Sequence, residues 1–181
     1  EPGHVIEKVK GAFGDLPHGG YEDTPFPALK LDKPTLSVTE RKLDTNYIEG
    51  VFAAPTWTNP EFADATVAMS VLQYRLFEEV RTKRNISYSP SAGYSMGSSV
   101  PRGILYVTAV KPNETIKVMF DEVKKLQNEL VAEKDLTATK SVYLTKYLMG
   151  NESTTGQAGM LASAASAARK PPRSLRSAAS G

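Results

Sequence analysis

Within one short stretch, the apolar period of this chain changes from that of a helix to that of a strand. Phe62, Thr66, Met69, Leu72, Leu76 and Val80 recur at helical spacing and predict one apolar helix face. Ile86, Tyr88, Pro90, Ala92, Tyr94 and Met96 then alternate with Ser87, Ser89, Ser91, Gly93 and Ser95, a two-residue repeat with one small, polar face. The helix therefore ends between Thr82 and Asn85, and a strand follows over Ile86–Met96. Pro90 has no amide donor, so that strand lies at an edge or is bulged there. This junction places a guanidinium, Arg81, and a phenol, Tyr88, at the two ends of a charged turn.

The helix start is legible at Thr58-Asn59-Pro60-Glu61, with a capping residue, Pro in the first turn and Glu three after Thr58. Upstream, Val5, Ile6, Val9, Ala12 and Phe13 have helical spacing over residues 4–13, stopped by Gly14-Asp15-Leu16-Pro17. Residues 18–35 are rich in Pro and Gly and read as an extended linker. Residues 1–17 then look like the terminal helix of a preceding domain, joined through the linker to a domain over 36–170. Leu36–Lys42 and Tyr47–Ala54 are strand candidates.

Gly97–Gly103 reads as a turn, and Ile104–Val110 as a strand antiparallel to the one before it. Lys111-Pro112-Asn113-Glu114 begins a helix with Ile116, Met119, Phe120, Val123, Leu126 and Leu130 as its buried stripe. Glu133–Met149 is another helix, with Leu136, Val142, Tyr143 and Tyr147 inward, stopped by Gly150. The Ala-rich Ser153–Arg169 is helical, and residues 171–181 read as a flexible tail. The order strand, strand, helix, strand, strand, helix, helix, helix predicts an α+β fold, a mostly antiparallel sheet with helices packed on one face.

Composition narrows the function classes. The chain of 181 residues has 22 Lys plus Arg against 20 Asp plus Glu, which gives no argument for a nucleic-acid partner. No apolar run approaches the roughly 18 residues of a membrane span. Cysteine is absent, so the fold has neither disulfides nor a cysteine metal site. That fits an oxidising compartment, and a periplasmic or other extracytoplasmic location is slightly favoured. The start at Glu1-Pro2, without Met, predicts a fragment or a processed product.

The chemistry available is limited. His4 and His18 are the only histidines, and no His-Glu-x-x-His or His-x-x-Glu-His occurs. A hydrolytic zinc needs about three His, Asp or Glu ligands and an open position. A serine nucleophile would need a base, neither histidine sits near a predicted strand-to-helix elbow, and no phosphate loop is present. What remains is Arg81 and Tyr88, which can both donate hydrogen bonds to a carbonyl or a developing oxyanion. Such a pair stabilises charge but generates no nucleophile. From physical chemistry alone a plainer reading stays open: Arg81 as a solvated helix end complementing the dipole, and Tyr88 as a half-buried strand residue beside Ile86.

A family resemblance rests on these residues. Arg75-Leu76-Phe77, Val80-Arg81 and Ile86-Ser87-Tyr88 resemble the second, non-metal-binding domain of pitrilysin/insulinase-type zinc peptidases (M16, inverzincins) and of mitochondrial processing peptidase subunits. Tyr47–Pro55, Lys111-Pro112, Asn151-Glu152-Ser153 and Phe13–Pro17 match as well, so the resemblance covers most of residues 4–169. It implies a LuxS/processing-peptidase-like metallohydrolase domain that helps to enclose a peptide or protein substrate. It implies no cofactor in this chain and zinc in a complementary metal-bearing domain or subunit. By the same resemblance Arg81 holds the substrate backbone or carboxylate, and Tyr88 hydrogen-bonds to the substrate carbonyl or tetrahedral intermediate. The chain is then inactive alone. The alternative is a noncatalytic, processing-peptidase-like scaffold that binds a partner chain. The family domain continues into a further helix where this chain has Lys170-Pro171-Pro172-Arg173, which predicts truncation of the domain at its C-terminus.

Overall fold

A computed structural model describes residues 1–17, 29–56, 59–95 and 100–167. The chain divides into two compact units, residues 1–25 with 165–181, and residues 26–164.

In the first unit, helix α1 covers Pro2–Phe13, with proline in its first turn, where no helical N–H is lost. Val5, Ile6, Val9 and Phe13 make the expected stripe, and all four are exposed. His4 is exposed on the same helix. His18 and most of the expected linker, residues 18–28, lie outside the described residues, as does the tail from 168 onward.

The second unit is α+β, as its order of apolar periods predicts. Strands β1 (Asn46–Ala53), β2 (Ser91–Ser95) and β3 (Arg102–Ala109) form a three-stranded antiparallel sheet in the order β1-β3-β2. The register sets Ile48 opposite Val107, Phe52 opposite Gly103, and Ala92 opposite Leu105. Because strand side chains alternate, Ile48, Phe52, Ala92, Tyr94, Leu105 and Val107 share one face. That face packs into the core with Met69, Leu72, Leu76 and Val80 and with Met119. Tyr47, Glu49 and Val51 point to the other face and are exposed.

Phe52 dictates its partner across the ladder. A Cβ on buried Gly103 would lie 2.0 Å from the Phe52 Cζ. The ring occupies the space a side chain would need, so only glycine fits opposite it.

Helix α2 (Phe62–Leu76) carries the predicted core face: Met69, Val71, Leu72 and Leu76 are buried. Its start differs from the expected one. The Asn59 Oδ1 accepts from the Glu61 N–H at 2.8 Å and turns the chain into the helix, which begins after Glu61; Thr58 lies outside the described residues. The helix runs on as a π-helical turn over Phe77–Thr82, so the stop falls between Thr82 and Asn85 as predicted.

Helices α3 (Pro112–Asn128), α4 (Glu133–Gly150) and α5 (Thr154–Ala167) follow. In α3 the buried positions are Thr115, Met119 and Glu122. Val123 and Leu126 pack against the core as expected, whereas Phe120 is 56% and Leu130 99% exposed. The buried face is rotated because Thr115 seals its hydroxyl against the Lys111 carbonyl at 2.9 Å and takes an inward position. The inward assignments in α4 are likewise corrected. Leu136 is half-buried, but Val142, Tyr143 and Tyr147 are exposed: apolar groups surround this helix, so no single face of it is marked for the core, and the Tyr147 hydroxyl instead meets the Met160 Sδ of α5 at 3.7 Å.

Two strand assignments fail. Leu36–Lys42 has no regular structure, with Leu36 and Val38 exposed. An extended segment becomes a strand only by pairing, and β1 pairs with β3 alone. The strand expected over Ile86–Met96 forms only from Ser91 to Ser95, and Met96 lies outside the described residues. The Ile86 N–H is tied back to the helix end, and β2 starts just past Pro90 and lies at the sheet edge, one of the two placements that the missing Pro90 donor allowed.

Candidate functional site

The site is built by the connection from α2 to β2. The π-helical turn closes with the Lys83 N–H donating to the Glu78 carbonyl at 2.8 Å, a five-residue step. The Asn85 N–H donates to the Arg81 carbonyl and the Ile86 N–H to the Val80 carbonyl, both at 3.0 Å. Asn85 itself has φ 50°, in the left-handed region, and is the one described non-glycine residue with positive φ. That single residue reverses the chain. Val80, fully buried, and Ile86, packed on the core, pin the two sides of the reversal.

Arg81 follows Val80 and Tyr88 lies two after Ile86, so both anchors fix their neighbours. The Arg81 guanidinium carbon lies 4.0 Å from the Tyr88 ring centroid and 4.9 Å from that of Phe77. Tyr88 is 74% exposed. It is thus an outward residue of an irregular segment, not a half-buried strand residue. Arg81 is half-buried against the two rings rather than a freely solvated helix end.

The neighbouring basic residues are used differently. Lys83 Nζ lies 2.5 Å from the Glu79 Oε1, and Arg84 pairs with the other Glu79 oxygen and with the Glu79 carbonyl at 2.9 Å. Hydrogen bonds from Lys83, then from Arg84, hold the Glu79 carboxyl down at a pKa of about 2. Among the described residues Arg81 makes no ion pair or hydrogen bond through its side chain. Aromatic faces attract a cation but carry no net charge, so its positive charge and its donors stay available. The charged turn therefore presents one uncompensated guanidinium beside one exposed phenol.

A groove lies elsewhere in the same unit. It measures about 950 Å³ between α2, β2 and α4, and neither Arg81 nor Tyr88 lines it. Phe77 stands on its border. Gln73 reaches across its floor, donating from Nε2 to the Pro90 carbonyl at 3.2 Å and accepting the Ala92 N–H on Oε1 at 2.7 Å. Those are the two backbone groups a further strand would take, so Gln73 caps the edge strand. Sequence reading missed Gln73, Phe77 and Asn85. Phe77 carries a signal, its four-residue spacing to Arg81 on one side of a helix; Asn85 carries another, its tolerance of positive φ.

No group of three His, Cys, Asp or Glu able to hold a metal occurs among the described residues. The donor set described does not fit a zinc ion, and no chemical step is assigned to one in this chain. No described helix is long and apolar enough to cross a membrane.

Comparison with known proteins bears on the same connection. The profile of the family described as "Peptidase M16 inactive domain" matches residues 1–143, which include Arg81 and Tyr88. The fold is similar to that of a protease from Helicobacter pylori, with 14% identity and a TM-score of 0.68 over 90% of this chain and 42% of that one. It is also similar to a conserved protein from Enterococcus faecalis V583, with 14% identity and a TM-score of 0.64 over 85% of this chain and 38% of that one. The chain thus spans about two-fifths of the length of these structures. No curated protein matches. The match over residues 1–143 places this chain in the M16 peptidase inactive-domain family.

Proposed function

We propose that this chain is the substrate-enclosing, non-metal-binding domain of a zinc metalloendopeptidase, inactive alone, and that Arg81 and Tyr88 contact the peptide during hydrolysis. The observation that carries this reading is the pair itself. An uncompensated guanidinium and an exposed phenol are held in contact on a short, doubly anchored turn. Arginine stays charged at any working pH and its fork suits a backbone carbonyl or a carboxylate. The Tyr88 hydroxyl donates to the carbonyl oxygen as negative charge develops on it. Neither group activates water, so the nucleophile and the zinc come from a complementary domain or subunit. Residues 1–17 are the terminal helix of the domain before this one, and the exposed stripe of α1 supports that assignment.

The test is cleavage of a quenched fluorogenic peptide by the chain alone and by the chain combined with a domain bearing His-x-x-Glu-His from its parent or partner protein. Activity is expected only in combination, abolished by a chelator. Chelator-sensitive cleavage by the isolated chain would overturn the proposal. A combination that binds but cleaves nothing would instead favour a noncatalytic, partner-binding scaffold.

A further inference from the structure

Phe77 is a large apolar residue that the core does not use. It is 38% exposed and stands outside the core cluster, although Leu76 before it is fully buried. Its ring meets the Arg81 guanidinium at 4.9 Å, four residues along the same turn, on a guanidinium that Tyr88 also contacts. Arginine has many rotamers, and an unheld side chain pays their entropy when it binds. Two rings restrict those rotamers without consuming the charge, which a carboxylate partner would do. Glu79, two positions from Arg81, is a carboxylate in reach of the turn, but Lys83 and Arg84 already occupy it.

We infer that Phe77 is a positioning residue: it holds the Arg81 guanidinium in its binding orientation through a cation–π contact, with Tyr88 supplying the second ring. This rests on the reading of Arg81 as a substrate contact. Phe77→Tyr retains a ring and so retains the effect; Phe77→Leu retains apolar bulk but loses it.

The experiment is a double-mutant cycle in the complete zinc-bearing enzyme, read as kcat/KM on a fluorogenic peptide. Phe77→Leu is expected to lower kcat/KM about three- to fivefold. Phe77→Tyr should stay within about twofold of the parent, and Phe77→Leu should cost nothing further once Arg81→Ala is present. In the isolated chain, the Arg81 side-chain proton resonances should be shifted upfield by the rings, and Phe77→Leu should reduce that shift. An equal loss with and without Arg81, or an unchanged Arg81 shift in Phe77→Leu, overturns the inference and makes Phe77 a packing residue. An Arg81→Ala enzyme of full activity instead sinks the functional reading, and the resonance shift then still decides whether Phe77 holds the guanidinium.

Discussion

The guanidinium of Arg81 lies 4.0 Å from the centre of the Tyr88 ring, across a chain reversal of seven residues. The contact makes one unit of two groups that a linear reading treats separately. Tyr88→Phe keeps the ring and removes only the hydroxyl. If the phenol stabilises developing charge, this change in the complete enzyme lowers kcat by roughly 10- to 100-fold and raises KM much less. Thermal denaturation should find the variant chain as stable as the parent. An unchanged kcat would leave Tyr88 a support for Arg81 and nothing more.

Asn85 holds the reversal at φ 50°. A β-branched residue there meets the full left-handed penalty, and Asn85→Val is expected to destabilise by about 1–2 kcal/mol. Asn85→Gly removes the penalty and should be neutral within about 0.5 kcal/mol. Urea denaturation of the two variants checks the difference. Equal stabilities would show that the turn relaxes to another conformation.

Gly103 accommodates the Phe52 ring where a Cβ would stand. Gly103→Ala forces the ring out or bends β3, at a cost of about 1–3 kcal/mol. Trimming the ring should return part of that loss, so Phe52→Leu combined with Gly103→Ala is expected to be more stable than the sum of the single changes predicts. Additive effects in a denaturant series would count against direct contact.

Glu79 ties Lys83 and Arg84 to the turn, and its folded pKa of about 2 lies below the ordinary value of 4.5. A depressed carboxylate favours folding fully above its unfolded pKa, and the contribution fades as pH falls from 4.5 toward about 2. Its partners are largely exposed, so solvent screening leaves a contribution on the order of 1 kcal/mol. Glu79→Gln should therefore lower stability at neutral pH and converge with the parent near pH 2. Denaturation midpoints across that range test this, and a constant gap would mean that the loss comes from packing.

Local patterns were enough for the helices, for β1 and β3, for the α+β class and for the seven-residue separation of Arg81 from Tyr88. Helical and strand periods are properties of consecutive residues, and the missing donor of Pro90 left only an edge or a bulge for the strand there. Pairing and burial depend on distant neighbours. Leu36–Lys42 has strand-forming residues but no strand partner among the described residues, and Val142, Tyr143 and Tyr147 stay exposed despite their apolar surface. Gln73 reads as an ordinary helix residue until β2 lies beside it. So it is with the candidate site. The sequence by itself supplied the two donors and the distance between them along the chain. Only the tertiary structure decided that they touch, because the contact requires Val80 buried in the core, Ile86 packed against it, and Asn85 turned against its usual backbone preference.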